Sequence, residues 1–193
     1  YTRFLSDLST TCGIILIVKG VSYMRVSVRG AENRLLAKWL RIAAIFYANE
    51  LMHVNLVKNL NVKIILRSPD KDFKDKGSCE WDETDGPPNP RYFTIVLAKG
   101  KNKREIFRTL AHEMVHLRQY AKNEMTGLLT GSHIHTWKGA VYKLNSSLSP
   151  KKIEENQLQL QCDGSDYFYL PWEIEAYGLE VGLFSYFRKF VSS

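Results

Sequence analysis

One short stretch of the chain concentrates groups that could do chemistry: Ala111-His112-Glu113-Met114-Val115-His116. Histidines four residues apart on a helix stand one turn apart on the same face. Both imidazoles can then reach one zinc ion at the roughly 2.0–2.1 Å that zinc–nitrogen bonds require. A glutamate directly after the first histidine can take a proton from water activated at such a metal. The pattern implies hydrolysis assisted by Zn2+, with His112 and His116 as ligands and Glu113 as general base. Three fixed positions can also coincide on an ordinary helix. Here the motif sits among apolar residues at helical spacing and follows a strong strand pattern, which favours the functional reading.

A catalytic zinc takes three protein ligands and leaves one position for water, so a third ligand must come from elsewhere. Pro171-Trp172-Glu173-Ile174-Glu175-Ala176-Tyr177 reads as a helix start, with proline as its opening signal. Glu173 is the first choice for the metal and Glu175 the second, although acidic residues also favour helix N-termini without any metal. Ser132-His133-Ile134-His135-Thr136-Trp137-Lys138 competes through His135; otherwise His133 and His135 are loop histidines. Tyr177, four residues after Glu173 and on the same face, could hydrogen-bond a ligand or stabilise an oxyanion, though a packing role is simpler. Gln119 could support His116, with a solvated surface residue as the simpler reading. Asp163, Asp166, Glu173 and Glu175 are acidic but match no EF-hand spacing.

These groups need elements to position them. Asn102 with Glu105 three residues on resembles a helix-start box, and an apolar face of Ile106, Phe107, Leu110, Ala111, Met114, Val115 and Leu117 predicts a helix over 103–121. A final helix starts after Pro171 and runs through Phe187 or beyond. Glu32 to Asn59 is helical with a break near Ala48–Asn49. Val62–Leu66 and Tyr92–Ala98 read as strands, and Gly77–Trp81 could form a short one. Residues 86–90, Gly-Pro-Pro-Asn-Pro, form a turn. Residues 122–137 read as a loop, Trp137–Leu144 as a short strand or helix, and 145–166 as a polar segment. Ile14–Val18 and Tyr23–Val28 are β-rich, and residues 1–30 are read as an N-terminal extension that could add a hairpin.

The 193 residues carry 45% hydrophobic content, enough to bury one core, so a single domain over 1–193 is expected. The net charge of +7 suits an acidic partner such as nucleic acid. Its lysines and arginines are scattered, with the tightest group at Lys99, Lys101, Lys103 and Arg104. Cys12, Cys79 and Cys162 are odd in number and far apart, which argues for reduced thiols in an intracellular protein over a disulfide framework. Cys12–Val18 is too short to span a membrane, and its flanks fit a signal peptide poorly; no membrane partner and a cytoplasmic location are expected. Trp39, Trp81, Trp137 and Trp172 read as core residues.

Leu110-Ala111-His112-Glu113-Met114-Val115-His116-Leu117-Arg118-Gln119-Tyr120, with Pro171-Trp172-Glu173-Ile174-Glu175-Ala176-Tyr177-Gly178 downstream, resembles zincin-type metallopeptidases of phages and bacteria, either SprT-like or minimal gluzincin domains. The likeness spans roughly residues 60 to 185. It implies an α+β, minimal zincin-like fold: a support helix, a small mixed sheet with an edge strand, an active-site helix and a C-terminal helix. Zinc would be held by His112, His116 and Glu173, and a peptide would be hydrolysed with Glu113 as base and Tyr177 in support. Ala176, three residues after Glu173, matches the small residue that several such families use to bring two helices together. The strand Tyr92–Ala98 would hold the substrate by backbone pairing. His135-Thr136-Trp137-Lys138 loosely resembles the third-ligand segment of SprT-like proteases, which act on DNA-bound proteins. The chain departs from the pattern in its long spacing between His116 and Glu173, and in having Tyr177 where some families place an aspartate. A nucleic-acid-associated module and a non-catalytic zinc-binding protein are the rival readings.

Overall fold

The computed structural model describes residues 24–70, 76–82, 89–127, 134–143 and 167–193. Strand alternation builds its main sheet from β1 (Arg25–Arg29), β2 (Asn61–Arg67), β3 (Gly77–Trp81) and β4 (Tyr92–Ala98), in the order β1-β2-β4-β3. β1, β2 and β4 are parallel neighbours, and β3 runs antiparallel to β4. Val62, Ile64 and Leu66 of β2 and Phe93, Ile95 and Leu97 of β4 occupy alternate positions and are all buried. The two-residue period therefore gives the sheet one apolar face.

Helices cover that face. α1 (Arg34–Leu51) starts at Asn33, whose side chain accepts from the Leu36 amide at 2.8 Å. It ends at Met52 and is followed by the short α2 (Val54–Val57), so the break falls later than the expected Ala48–Asn49. α3 (Lys103–Ala121) has the expected boundaries. Asn102 Oδ1 accepts from the Glu105 amide at 2.9 Å, and the Asn102 side-chain amide donates to Glu105 Oε2 at 3.2 Å. This is a variant of the capping box, in which the glutamate would reach the backbone instead. α4 (Pro171–Ser192) extends beyond Phe187 and packs on both α1 and α3.

Three expectations need correction. Tyr92–Ala98 forms a strand with the expected bounds, but it lies inside the sheet with both edges paired to β2 and β3. It cannot accept an added strand; β3 is the outer strand on that side. Arg25–Arg29 pairs in register with β2 and belongs to the main sheet, not to an appended hairpin. The stretch read as a loop at 122–137 contains β5 (Met125–Gly127) and β6 (Ile134–Trp137), which join β7 (Ala140–Lys143) in a second, antiparallel sheet. The β6–β7 turn is Lys138-Gly139, both with positive φ (47° and 87°). That pair of left-handed residues suits a tight hairpin, but lysine at the first position hides the usual Asn-Gly signal. Ile14–Val18 and the polar 145–166 segment lie outside the described residues.

The fold is thus α+β, with an aromatic cluster fixing its C-terminal helix. Phe187 is 1% exposed, and its ring lies 5.5 Å from Phe46, 5.6 Å from Tyr47 and 5.7 Å from Phe107. These contacts tie α4 to α1 and α3. Replacing Phe187 with alanine is expected to lower unfolding free energy by about 3–5 kcal/mol, measured by urea denaturation. A loss below about 1 kcal/mol would mean that α4 is not anchored through this ring.

Candidate metal centre

Helical spacing places Arg108, His112, His116 and Gln119 in one row along α3. On α4 it places Glu173, Tyr177 and Glu180 in another, and the two helices pack against each other. Ala176 is fully buried between turns of that second row, where a small side chain suits close helix approach. His112, His116 and Glu173 form a group that could hold a metal ion. His112 Nε2 lies 3.1 Å from His116 Nε2, and each is 3.3 Å from a different oxygen of Glu173. Three donors bound at the zinc–ligand distance to one tetrahedral ion would stand roughly 3.3 Å apart. The triangle in this protein fits that requirement.

The surroundings decide which ring nitrogens face inward as acceptors. His112 Nδ1 donates to Glu180 Oε2 at 3.2 Å, since a carboxylate can only accept. Gln119 donates through Nε2 to the Trp172 carbonyl and to Glu175 Oε2, both at 3.0 Å. Its oxygen therefore faces His116 and accepts from Nδ1 at 2.8 Å. With both Nδ1 protons directed outward, both Nε2 atoms face Glu173: a neutral ring offers a lone pair there, and a protonated His112 donates to the carboxylate instead. Such an arrangement of acceptors calls for a cation or a proton between them. Outer partners of this kind orient histidine ligands in metal sites generally.

The local field agrees. Burial works against a charged His112 ring, yet hydrogen bonds to Glu173 and Glu180, with the charges of Glu113 and Glu173, outweigh it and push its pKa up to about 9. Burial, and then the charges of Glu113 and Glu80, push the Cys79 thiol well up. Glu113 is buried at 4% exposure beside β3. A Cβ added at Gly77 would stand 2.7 Å from Glu113 Oε1 and 2.6 Å from Thr109 Cγ2, so glycine makes the room that this carboxylate occupies.

The remaining candidates fall elsewhere. Glu175 is held by Arg118, by Gln119 and by Lys138 at 3.4 Å, outside the metal group. Burial tends to raise its pKa, but the Gln119 hydrogen bond and the Arg118 and Lys138 charges bring it below the ordinary carboxylate value. His135 sits in β6 opposite Tyr142, its ring 5.5 Å from Trp172. Tyr177 lies over His112 with ring centroids 4.6 Å apart. Trp39, Trp137 and Trp172 are buried as expected, and Trp81 is half-buried against Tyr120. Lys101, Lys103 and Arg104 are exposed at the start of α3, while Lys99 is half-buried. His133, Asp163, Asp166, Cys12 and Cys162 lie outside the described residues. A hollow of about 390 Å³ between Arg25, Lys63, Asp82 and Tyr92 is separate from the metal group.

Of the two supporting residues, the sequence reading weighed one, with surface exposure as the simpler reading, and missed the other. Gln119 is completely buried, not a surface residue, and its spacing of three from His116 was the available signal. Glu180 was missed altogether. It is seven residues after Glu173, two turns along the same face, and is held by Arg108. No protein-family profile, curated protein or solved structure matches the chain.

With a pKa near 9, His112 carries a proton at pH 7 that a metal must displace. Its contribution to the stability of the metal-free fold is complete below its unfolded value of about 6.5 and is lost as pH rises through about 9. Divalent-metal affinity should run the other way, rising with pH to about 9. Calorimetry at pH 7 in buffers of differing ionisation enthalpy should show release of about one proton per metal. In the same titration Glu180→Ala should weaken binding about 10–100-fold. Proton-neutral uptake with an unaffected Glu180→Ala variant would contradict this arrangement.

Proposed function

We propose that this protein is a zinc-dependent metallopeptidase with a zincin-like architecture. The observation that carries the reading is the triangle of His112, His116 and Glu173, with the buried Glu113 one residue from the first ligand. Two imidazoles and one carboxylate are a recurrent catalytic zinc donor set. Bound zinc would supply a Lewis acid that acidifies water and polarises a carbonyl.

The chain's own residues account for the remaining steps. Glu113 takes the proton from the attacking water and passes it to the leaving nitrogen. Gly77 keeps the space beside that carboxylate clear. Tyr177, lying over His112, is the candidate hydrogen-bond donor to the developing oxyanion. β3 is the outer strand next to α3, and among the described residues no strand pairs with its other edge. An extended peptide can add there by backbone hydrogen bonds. A polypeptide substrate suits such an edge better than a small molecule does.

The test is hydrolysis of a denatured protein by the zinc-loaded chain, followed by mass spectrometry. Glu113→Gln should retain stoichiometric zinc and lower kcat by about 10²–10⁴-fold. Hydrolysis at an unchanged rate in that variant would remove Glu113 from the chemistry.

A further inference from the structure

Beside the metal-facing row of α4 runs a second row that is apolar and open to solvent. Ile174, Tyr177 and Val181 follow one another at three- and four-residue steps and are 56%, 42% and 49% exposed. Phe168, in the 3₁₀ turn Tyr167–Tyr169 just before α4, is 60% exposed, with its ring 5.6 Å from that of Tyr177. Tyr177 in turn lies over the His112 ring, so the row is continuous with the metal group. Between Glu175 and Arg188 the only charged residue on α4 is Glu180, and it is buried. A run of exposed apolar side chains that reaches a candidate metal group suits a binding surface.

We propose that Phe168, Ile174, Tyr177 and Val181 form a ledge that receives a large aliphatic or aromatic side chain of the substrate next to the scissile bond. This rests on the metallopeptidase reading and names its substrate class: polypeptide segments rich in apolar residues, such as those exposed when a protein unfolds. A large apolar side chain gains by leaving water against these rings. A charged one would be desolvated there without a partner.

The experiment is digestion of a mixed-sequence peptide library by the zinc-loaded full chain, with cleavage sites read by mass spectrometry. Sites should be flanked by Phe, Tyr, Leu, Ile or Met. Phe168→Ser and Ile174→Ser should each lower kcat/KM about 10-fold for a peptide with a large apolar residue at that position. Both should retain bound zinc and leave kcat/KM for an alanine-substituted peptide unchanged. Cleavage without side-chain preference, or preference unchanged in both variants, would overturn the ledge while leaving the peptidase reading intact. Sedimentation showing a wild-type dimer that both substitutions dissociate, with cleavage unchanged, would make the row a self-association face and also overturn it. Absence of any hydrolysis by zinc-loaded protein would instead remove the peptidase reading on which the ledge rests.

Discussion

Two imidazole nitrogens and a carboxylate face one another across 3.1–3.3 Å, and once His112 gives up its proton each presents electron density to the others. Left to relax, such groups would turn away or take up protons. Here they are held from behind. Glu180 fixes His112 and Gln119 fixes His116. Those two are themselves fixed, by Arg108 in one case and by the Trp172 carbonyl in the other. The inward-facing groups are thereby held in an arrangement that could take a metal ion.

Much of the rest of the fold serves that triangle. The main sheet supplies a flat apolar face for α3, and the aromatic cluster around Phe187 holds α4 against it. The smaller sheet supports the other end of α4. Trp172, one residue before Glu173, lies against His135, Trp137 and Tyr142. Glu175 joins the same end to α3 through Arg118 and to the β6–β7 turn through Lys138. The first turn of α4 is thus gripped from three directions, which limits how far Glu173 can move.

That His112, Glu113 and His116 share one stretch of helix was legible because their spacing is local: the three positions lie within about one turn, and helical periodicity orients them without tertiary knowledge. Glu173 could be chosen over Glu175 from sequence only by resemblance. The structure separates them physically, since Arg118 and Gln119 engage Glu175 while both histidines face Glu173. Gln119 and Glu180 were hard to read for a different reason. Each acts across a helix–helix contact between residues 68 or more positions apart for one pair and 53 for another, and periodicity says nothing about what lies opposite. The edge of the sheet was misassigned because strand pattern gives no pairing order. β4, the stronger strand, lies inside, and the short, glycine-led β3 lies outside.

The most direct test is the metal stoichiometry of purified protein after reconstitution with zinc, compared with Glu173→Ala, Glu175→Ala and His116→Ala. Wild type and Glu175→Ala should hold close to one zinc per chain, while Glu173→Ala and His116→Ala should lose it. A wild-type protein that binds no zinc, or a Glu175→Ala variant that loses it while Glu173→Ala keeps it, would contradict the arrangement described here.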